Sequence, residues 1–303
     1  MPKAIFDSKA EQATYRRLAS IWSRYVDVYP QIPVRKVLGY NNLQELQLQS
    51  RTIEYLLKTE FDFVVSEKGT GNALLAIEFD GIGHGFSRNG EYVSRVIPLN
   101  DPYRKLKLDS KLRACTLIGF PLVIVSFPET ELLKESGSAI TVLDAIIGEV
   151  RARIGLKGLI TSHIDAFADA CTDDPSGEVT DWMMSALEVH TNQINHPIRR
   201  KTQEIAKQLP LWGDCIEFLH DREGYVGVRR AIIGGIDFSQ NGSKQQVLLA
   251  VSIYVRNLDS THCDPVNLAD CIAEYCLAKK ALREVGLDPV AWKKLADETP
   301  WTD

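Results

Sequence analysis

The sequence contains no long uninterrupted hydrophobic run, and its N-terminus lacks the apolar core of a signal peptide. A helix that crosses a bilayer needs about 20 consecutive apolar residues, so we expect a cytoplasmic protein without a membrane partner. Cysteine pairs of the Cys-x-x-Cys type are also missing, which excludes a zinc knuckle of the usual spacing. We expect the six cysteines to be reduced and mostly buried.

An excess of positive charge is absent as well. The 35 Lys and Arg residues stand against 40 Asp and Glu residues, which gives a formal net charge of -5 at pH 7. This balance excludes a histone-like, purely electrostatic binder, so any contact with nucleic acid must come from local basic patches. The 303 residues exceed one ordinary domain, and we expect two, over residues 1–155 and 156–303.

The first half contains a regular succession of helix and strand patterns. The expected elements are a helix, a short strand, two strands joined by a turn, a helix, a strand and a helix, over residues 8–30, 32–38, 61–66, 73–79, 102–118, 120–127 and 140–154. Residues 41–59 have no pattern that we can assign, and residues 81–100 are typical of a loop. The order predicts an α/β unit in which helices flank a mixed sheet.

The second half predicts a separate α+β domain. Helical patterns cover residues 160–171, 179–195, 197–209 and 266–285, and strand patterns cover residues 215–220, 225–236 and 246–256. The order within residues 197–285 resembles a double-stranded-RNA-binding domain. The basic cluster that such domains carry at the start of the last helix is absent here, which argues against RNA binding and leaves dimerisation or substrate positioning. The basic residues to consider are Arg199, Arg200, Lys201, Arg229 and Arg230.

Two acidic residues fall at the same end of the hairpin expected in the first half. Asp62 lies near the start of its first strand and Glu78 near the end of its second strand, so antiparallel pairing brings them together. Magnesium is held by one or two carboxylates together with substrate phosphate and water. Such an ion polarises a phosphoryl group and makes bound water easier to deprotonate. Asp62 and Glu78 are therefore candidate ligands for Mg²⁺ or Mn²⁺.

The segments that carry these residues resemble the PD-(D/E)XK nuclease superfamily, and more closely a bacterial domain of unknown function allied to the very-short-patch-repair endonucleases. The matching segments are Phe61-Asp62-Phe63, Ile77-Glu78-Phe79-Asp80-Gly81, His84, and Lys111 before Gly119-Phe120-Pro121. The resemblance covers about residues 8–127. It implies a restriction-endonuclease-like fold and a metal-dependent nuclease that cleaves DNA, in repair or in defence against foreign DNA.

The resemblance also assigns roles to individual residues. Asp80 becomes a further metal ligand, beside Asp62 and Glu78. The usual catalytic lysine lies two residues after the glutamate, where this chain has Asp80. The superfamily allows that lysine to move to the following helix, where Lys111 stands, and Lys107 lies four residues earlier on the same helical face.

Two more residues take provisional roles from the same resemblance. His84 follows the Glu-x-Asp-Gly turn and would act as general base or leaving-group acid. Glu11 matches a first-helix glutamate that points into the active site, although capping-box spacing after Ser8 explains it equally well. His84 could instead be a loop histidine bonded to a carbonyl, and Lys107 and Lys111 could form a solvated helix face.

Two other functions compete with the nuclease. The first is a catalytically inactive nuclease-fold module that binds nucleic acid or a protein partner. A second copy of the chain, bound through the second domain as a homodimer, is the protein partner to consider. A missing carboxylate would favour that module, but Asp62, Glu78 and Asp80 are all present. A hydrolase with a cysteine or serine nucleophile lacks any recognisable motif.

Overall fold

The computed structural model describes most of the chain. The described residues are 6, 9–79, 84–86, 92–94, 102–125, 130–131, 133, 140–163, 165, 168–169, 172, 176–207, 214–222, 225–238, 243–256 and 263–285. The chain divides into two compact units. The first unit comprises Met1–Glu131 with Leu258–Asp264, and the second unit comprises Leu132–Asn257 with Pro265–Asp303.

The first unit is built on a mixed sheet flanked by helices. In chain order its elements are α1 (Lys9–Trp22), β1 (Val26–Pro33), α2 (Val34–Leu38), α3 (Tyr40–Glu45), α4 (Ser50–Lys58), β2 (Glu60–Glu67), β3 (Ala73–Phe79), β4 (His84–Phe86), β5 (Tyr92–Ser94), α5 (Pro102–Ile118) and β6 (Leu122–Val125). The sheet has the strand order β1-β2-β3-β6. Its first three strands are antiparallel neighbours, and β6 returns parallel to β3 after the crossover through α5. The expected α/β unit is therefore present.

Several boundaries of the first unit differ from the expected ones. The first strand begins at Val26 rather than at residue 32, and residues 34–38, which we expected to be extended, form α2. Val34 and Leu38 lie one helical turn apart, and both are buried in the core. Their burial on one helical face outweighs the β-preference of the branched residues.

Two stretches for which the sequence predicts no helix or strand contain regular structure. The unassigned residues 41–59 form most of α3 and all of α4. Within the expected loop 81–100, β4 and β5 pair as a short antiparallel ribbon, and the other residues of that loop lie outside the described residues. Short elements of this length carry too little periodicity to be assigned from one sequence.

The core of the first unit lies between one face of the sheet and the helices α2 to α5. Its buried side chains are Val34, Leu38, Leu43, Leu56, Phe61, Val64, Ala76, Ala114, Cys115 and Leu122. Each fully buried leucine or phenylalanine contributes roughly 1.5–3 kcal/mol. Consecutive residues of β2, from Phe63 to Val65, are also buried, so both faces of the sheet are covered.

The described part of the second unit combines four helices with an antiparallel sheet. Its elements are α6 (Val142–Ser162), α7 (Glu178–Asn195), α8 (Pro197–Ala206), β7 (Asp214–Arg222), β8 (Tyr225–Phe238), β9 (Ser243–Arg256) and α9 (Pro265–Val285). The sheet order is β7-β8-β9. Helix α9 packs on β8 and β9 and also contacts α8 and α6. The expected order of helix, three strands and helix from α8 to α9 is therefore observed.

Helix α6 is longer than the sequence indicates. It begins at a capping box in which the Thr141 hydroxyl accepts a bond from Asp144 N, and it continues through Gly155 to Ser162. We expected Gly155 to end the helix and another helix to begin at residue 160. Gly155 instead permits close packing, because a Cβ there would lie 2.4 Å from Asn195 Nδ2. The domain boundary that we expected after residue 155 falls inside this continuous helix.

Two general expectations can be compared with the described residues. Cys115, Cys263, Cys271 and Cys276 are free and buried, as expected. Among the described helices, none combines the length and apolar character that crossing a membrane would need.

Candidate active site

The side-chain periodicities of β3 and α5 place one polar residue of each element, Glu78 and Lys111, opposite each other at the edge of the core. Successive strand side chains alternate between faces, so Glu78 shares the face of Ala76, which belongs to the core beneath α5. On α5, Lys111 lies three and four residues before Ala114 and Cys115 and therefore shares their buried face. The same geometry that fills the core with apolar groups thus places a carboxylate opposite an ammonium group at its edge.

Lys111 and Glu78 form a buried, hydrogen-bonded pair. Lys111 Nζ donates to Glu78 Oε1 over 2.7 Å and to the backbone oxygen of Glu60, also over 2.7 Å. Both residues are only 5% exposed. The ammonium nitrogen also lies 5.8 Å from the centre of the Phe61 ring, within the range of a cation–π contact. Lys111 is therefore held in one position by three neighbours.

Asp62 is fixed beside this pair by the backbone of the neighbouring strand. The register pairs Phe63 with Ile77, and continuing it by one residue brings Asp62 opposite Glu78. Phe79 N donates to Asp62 Oδ2 over 2.7 Å. A backbone hydrogen bond to a charged carboxylate is stronger than one between neutral groups. The expected meeting of Asp62 and Glu78 at one end of the hairpin is thus observed.

The electrostatics of the site centre on Glu78. Burial raises the pKa of its carboxyl group from 4.5 to about 8, and the nearby charge of Asp62 adds to the rise, whereas Lys111 opposes it. Ionisation is disfavoured because two carboxylates share a poorly solvated place with a single ammonium group. The site is therefore short of positive charge when both carboxyl groups are ionised.

Two neighbours of the site were not anticipated from the sequence. Burial raises the pKa of the Tyr55 hydroxyl, which also feels the charges of Lys111 and Glu78. Burial likewise raises the pKa of the Cys115 thiol to about 12, with Glu78 contributing. The sequence could have identified Cys115 as a neighbour of the site, because it lies four residues after Lys111 on the same helix. It could not have identified Tyr55, because α4 was unassigned.

The donor set fits a hard divalent cation better than a soft one. Asp62 and Glu78 offer carboxylate oxygens, which Mg²⁺ and Mn²⁺ prefer. A divalent ion would offset the negative charge of Asp62, which adds to the effect of burial on the pKa of Glu78. Lys111 adds a fixed cation beside the carboxylates, as stabilisation of an anionic transition state requires.

Of the other candidate residues, Glu11 and Lys107 have described side chains. Glu11 is buried in the first turn of α1. Lys107 lies one turn before Lys111 and is exposed. The backbone of His84 pairs with Ser94 in the β4–β5 ribbon, but its side chain lies outside the described residues, as does Asp80.

Arg199 and Arg230, which belong to the basic residues singled out in the second half, form ion pairs within the second unit. Arg199 donates through Nη2 to Glu149 Oε1 over 2.8 Å. Arg230 makes a two-pronged contact with Asp270, with donor–acceptor distances of 2.6 and 2.9 Å. Their charge is thus partly neutralised by the protein itself, whereas Lys201 is exposed.

Comparison of the chain with models of known protein families, with curated proteins and with solved structures gives no match. The function is therefore inferred from the geometry of the described residues and from the sequence resemblance.

Proposed function

We propose that the protein is a divalent-metal-dependent nuclease that hydrolyses phosphodiester bonds of DNA, with its site at Asp62, Glu78 and Lys111. The observation that carries the proposal is the 2.7 Å contact between Lys111 Nζ and Glu78 Oε1. Beside it lies a second carboxylate, that of Asp62, which accepts a hydrogen bond from the backbone N–H of Phe79. A pair of carboxylates can hold a metal ion that assists cleavage of a phosphodiester, and an adjacent ammonium group can stabilise the charge that develops on the phosphate.

The topology of the first unit supports this proposal. A sheet of three antiparallel strands, followed by a helical crossover to a fourth, parallel strand, agrees with the restriction-endonuclease-like fold that the resemblance implies. The three polar residues come from β2, β3 and the crossover helix α5. Their positions therefore follow from the sheet and its crossover and do not depend on a long loop.

The position of Lys111 supports a lysine that has moved from strand to helix. The residue two positions after Glu78 is Asp80, which cannot provide a positive charge. Lys111 reaches Glu78 from α5, whereas Lys107 is exposed. We therefore assign the catalytic cation to Lys111.

Each residue then has a defined task. Asp62 and Glu78 would hold the ion, which when bound polarises the phosphoryl group and lowers the pKa of water. Lys111 orients Glu78 and stabilises the charge that develops on the phosphate. An ammonium group has three N–H donors. Among the described residues Lys111 uses two of them, on Glu60 and Glu78, and we assign the third to a phosphate oxygen.

The test is incubation of the purified full chain with plasmid DNA, linear DNA, single-stranded DNA and RNA. Each substrate is offered with Mg²⁺, with Mn²⁺ and with chelator. The proposal expects cleavage of at least one DNA form with metal and none with chelator. Cleavage that continues in chelator would contradict metal dependence, and binding without cleavage of every substrate would support the inactive binding module.

A further inference from the structure

Three side chains with metal-binding atoms meet inside the second unit. Glu149 lies on α6, His196 directly precedes α8, and Cys271 lies on α9. His196 Nε2 is 3.2 Å from Glu149 Oε1 and 3.4 Å from Cys271 Sγ. One ligand atom from each residue lies within 4.8 Å of the other two. The cluster therefore joins three helices at one point, far from the carboxylates of the first unit in sequence.

The cluster is closely packed and held in place. His196 and Cys271 are 0% exposed. Gly148, the residue before Glu149, accommodates the imidazole ring, because a Cβ at that position would lie 2.5 Å from His196 Cε1. Arg199 holds Glu149 Oε1 through two N–H groups, over 3.1 and 2.8 Å. The ligand atoms are thus positioned before any ion arrives.

The geometry excludes a nucleophilic triad. In such a triad the nucleophile and the carboxylate contact opposite nitrogens of the imidazole. Here both Glu149 and Cys271 approach Nε2, while Nδ1 accepts a bond from Arg199 N over 3.4 Å. Cys271 is also fully buried, so a substrate has no access to its sulfur atom.

We propose that Glu149, His196 and Cys271 form a binding site for a thiophilic divalent metal ion, of which Zn²⁺ is the best fit. Zinc bonds to oxygen, nitrogen and sulfur are about 2.0–2.3 Å long in a tetrahedral arrangement, which separates ligand atoms by roughly 3.2–3.6 Å. The two contacts of Nε2, at 3.2 and 3.4 Å, agree with these separations. Sulfur and imidazole ligands favour zinc over Mg²⁺, so this site differs in kind from the carboxylate site.

The local charges are compatible with a divalent ion. Glu149 and the Cys271 thiolate supply two negative charges, which balance the ion. The positive charge of Arg199 is offset by Glu274, whose Oε2 lies 3.8 Å from Nη1. Arg199 then plays the part of the hydrogen-bonded partner that orients a ligating carboxylate.

Binding requires two proton rearrangements. Without the ion, burial keeps Cys271 a neutral thiol by raising its pKa. As the ion binds, the thiol proton passes to solvent and the sulfur–metal bond forms. His196 must bind through Nε2 and carry its own proton on Nδ1, so the bond from Arg199 N is lost. That bond is 3.4 Å long, beyond the usual 3.2 Å or so, so the bond that is lost is a weak one.

The site is tested on the metal-stripped full chain dialysed against buffered Zn²⁺ with excess Mg²⁺. We expect about one zinc ion per chain held through the thiolate, and with Co²⁺ in its place a thiolate-to-metal charge-transfer band. Cys271→Ala should lose both the ion and the band. Cys276→Ala is the matched control, since Cys276 is also buried on α9, and it should keep both.

Each other result bears on the proposal. Folded wild-type chain that binds no zinc, or a Cys271→Ala variant that retains zinc and band unchanged, overturns it. If Cys271→Ala does not fold, Glu149→Gln serves instead, because it keeps the thiol and the packing and should weaken zinc binding about 10-fold or more. Equal affinity of Glu149→Gln and wild type would contradict the site. Glu78→Ala should retain the band, which separates this site from the proposed nuclease centre.

Discussion

Lys111 has an environment that a solvated helix face does not provide. Its ammonium group lies in the interior, bonded to a carboxylate and a backbone oxygen and placed over an aromatic ring. Burying a charge is costly unless it is paired and hydrogen-bonded. A lysine that served only solubility would extend into water, as the exposed position of Lys107 allows. The buried position of Lys111 is more consistent with a role at the site.

Substitutions of Lys111 and of its neighbour Lys107 should have different effects on cleavage. Lys111→Met keeps an unbranched side chain against Phe61 but removes the charge, and we expect cleavage to fall by about 100-fold or more, as for loss of one electrostatic group at a reacting phosphate. Lys107→Met is the matched control and should stay near the wild-type rate. Cleavage rates with Mg²⁺ compare the activities of the two variants, and circular dichroism checks that both are folded. Similar losses in both variants would assign the role to general positive charge on α5.

The elevated pKa of Glu78 predicts how stability depends on pH when chelator is present. A carboxyl group whose pKa is about 8 when folded, against an ordinary 4.5, binds its proton more tightly in the folded chain. Its stabilising contribution is complete below about pH 4.5 and is lost as the pH rises to about 8. The free energy of unfolding of wild type relative to Glu78→Gln should therefore fall across this window.

Urea denaturation of both proteins at several pH values measures that difference. The amide that replaces the carboxyl group in Glu78→Gln cannot ionise, so titrating groups that do not interact with residue 78 cancel in the comparison. Parallel stability curves for the two proteins from about pH 4.5 to about pH 8 would show that Glu78 titrates normally.

The sequence predicted that Asp62 and Glu78 lie together, but it did not predict their surroundings. Asp62 and Glu78 could be placed together because antiparallel pairing has a fixed geometry. The resemblance favours Lys111 over Lys107, but both project from one helical face, so the sequence alone does not show which of them contacts Glu78. Tyr55 could not be found, since its place depends on how α4 packs.

At the scale of elements, prediction succeeded where the pattern was long or ended by a distinctive residue. Strands β2 and β3 were predicted to within a residue or so, because apolar runs flank a glycine-rich turn. Helix α5 begins at Pro102 and ends before Gly119, as expected. The predicted end of α6 at Gly155 was wrong, because the sequence does not distinguish a glycine that permits close packing from a glycine that ends a helix.

Gly119 and Gly158 should respond to alanine in opposite directions. Gly119 has a φ of 75°, in the left-handed region, and a Cβ there would contact nothing within 4 Å, so Gly119→Ala should destabilise the chain through backbone strain alone, by about 1 kcal/mol. Gly158 lies inside α6 with open space around its missing Cβ, and Gly158→Ala should stabilise by roughly 0.5–1 kcal/mol. Thermal unfolding of both variants provides the comparison. Stabilisation by Gly119→Ala would contradict the assigned helix ending.

At the scale of the whole molecule, the sequence predicted two domains, and the chain divides into two compact units. The cluster of Glu149, His196 and Cys271 could not be foreseen, because its members are distant in sequence and meet only when three helices pack. Residue 155, the expected end of the first domain, lies inside α6, where Gly155 packs closely against Asn195 of α7.

The overall charge limits how the protein would hold DNA. A net charge of -5 gives no general attraction to phosphate, so binding must use local patches such as exposed lysines. Neither Asp62 nor Glu78 contributes to that attraction, because both are acidic. Removing one of them should therefore affect cleavage much more than binding.

The most direct test of the nuclease proposal measures cleavage and binding by the same preparations of wild type and Glu78→Ala. With Mg²⁺ or Mn²⁺, wild type should cleave DNA and Glu78→Ala should not, while circular dichroism and DNA affinity of the variant remain close to wild type. The substrate in both assays is the form of DNA that wild type cleaves. A reaction with chelator is the negative control for cleavage. Cleavage by Glu78→Ala at the wild-type rate would contradict the central claim by placing the chemistry elsewhere.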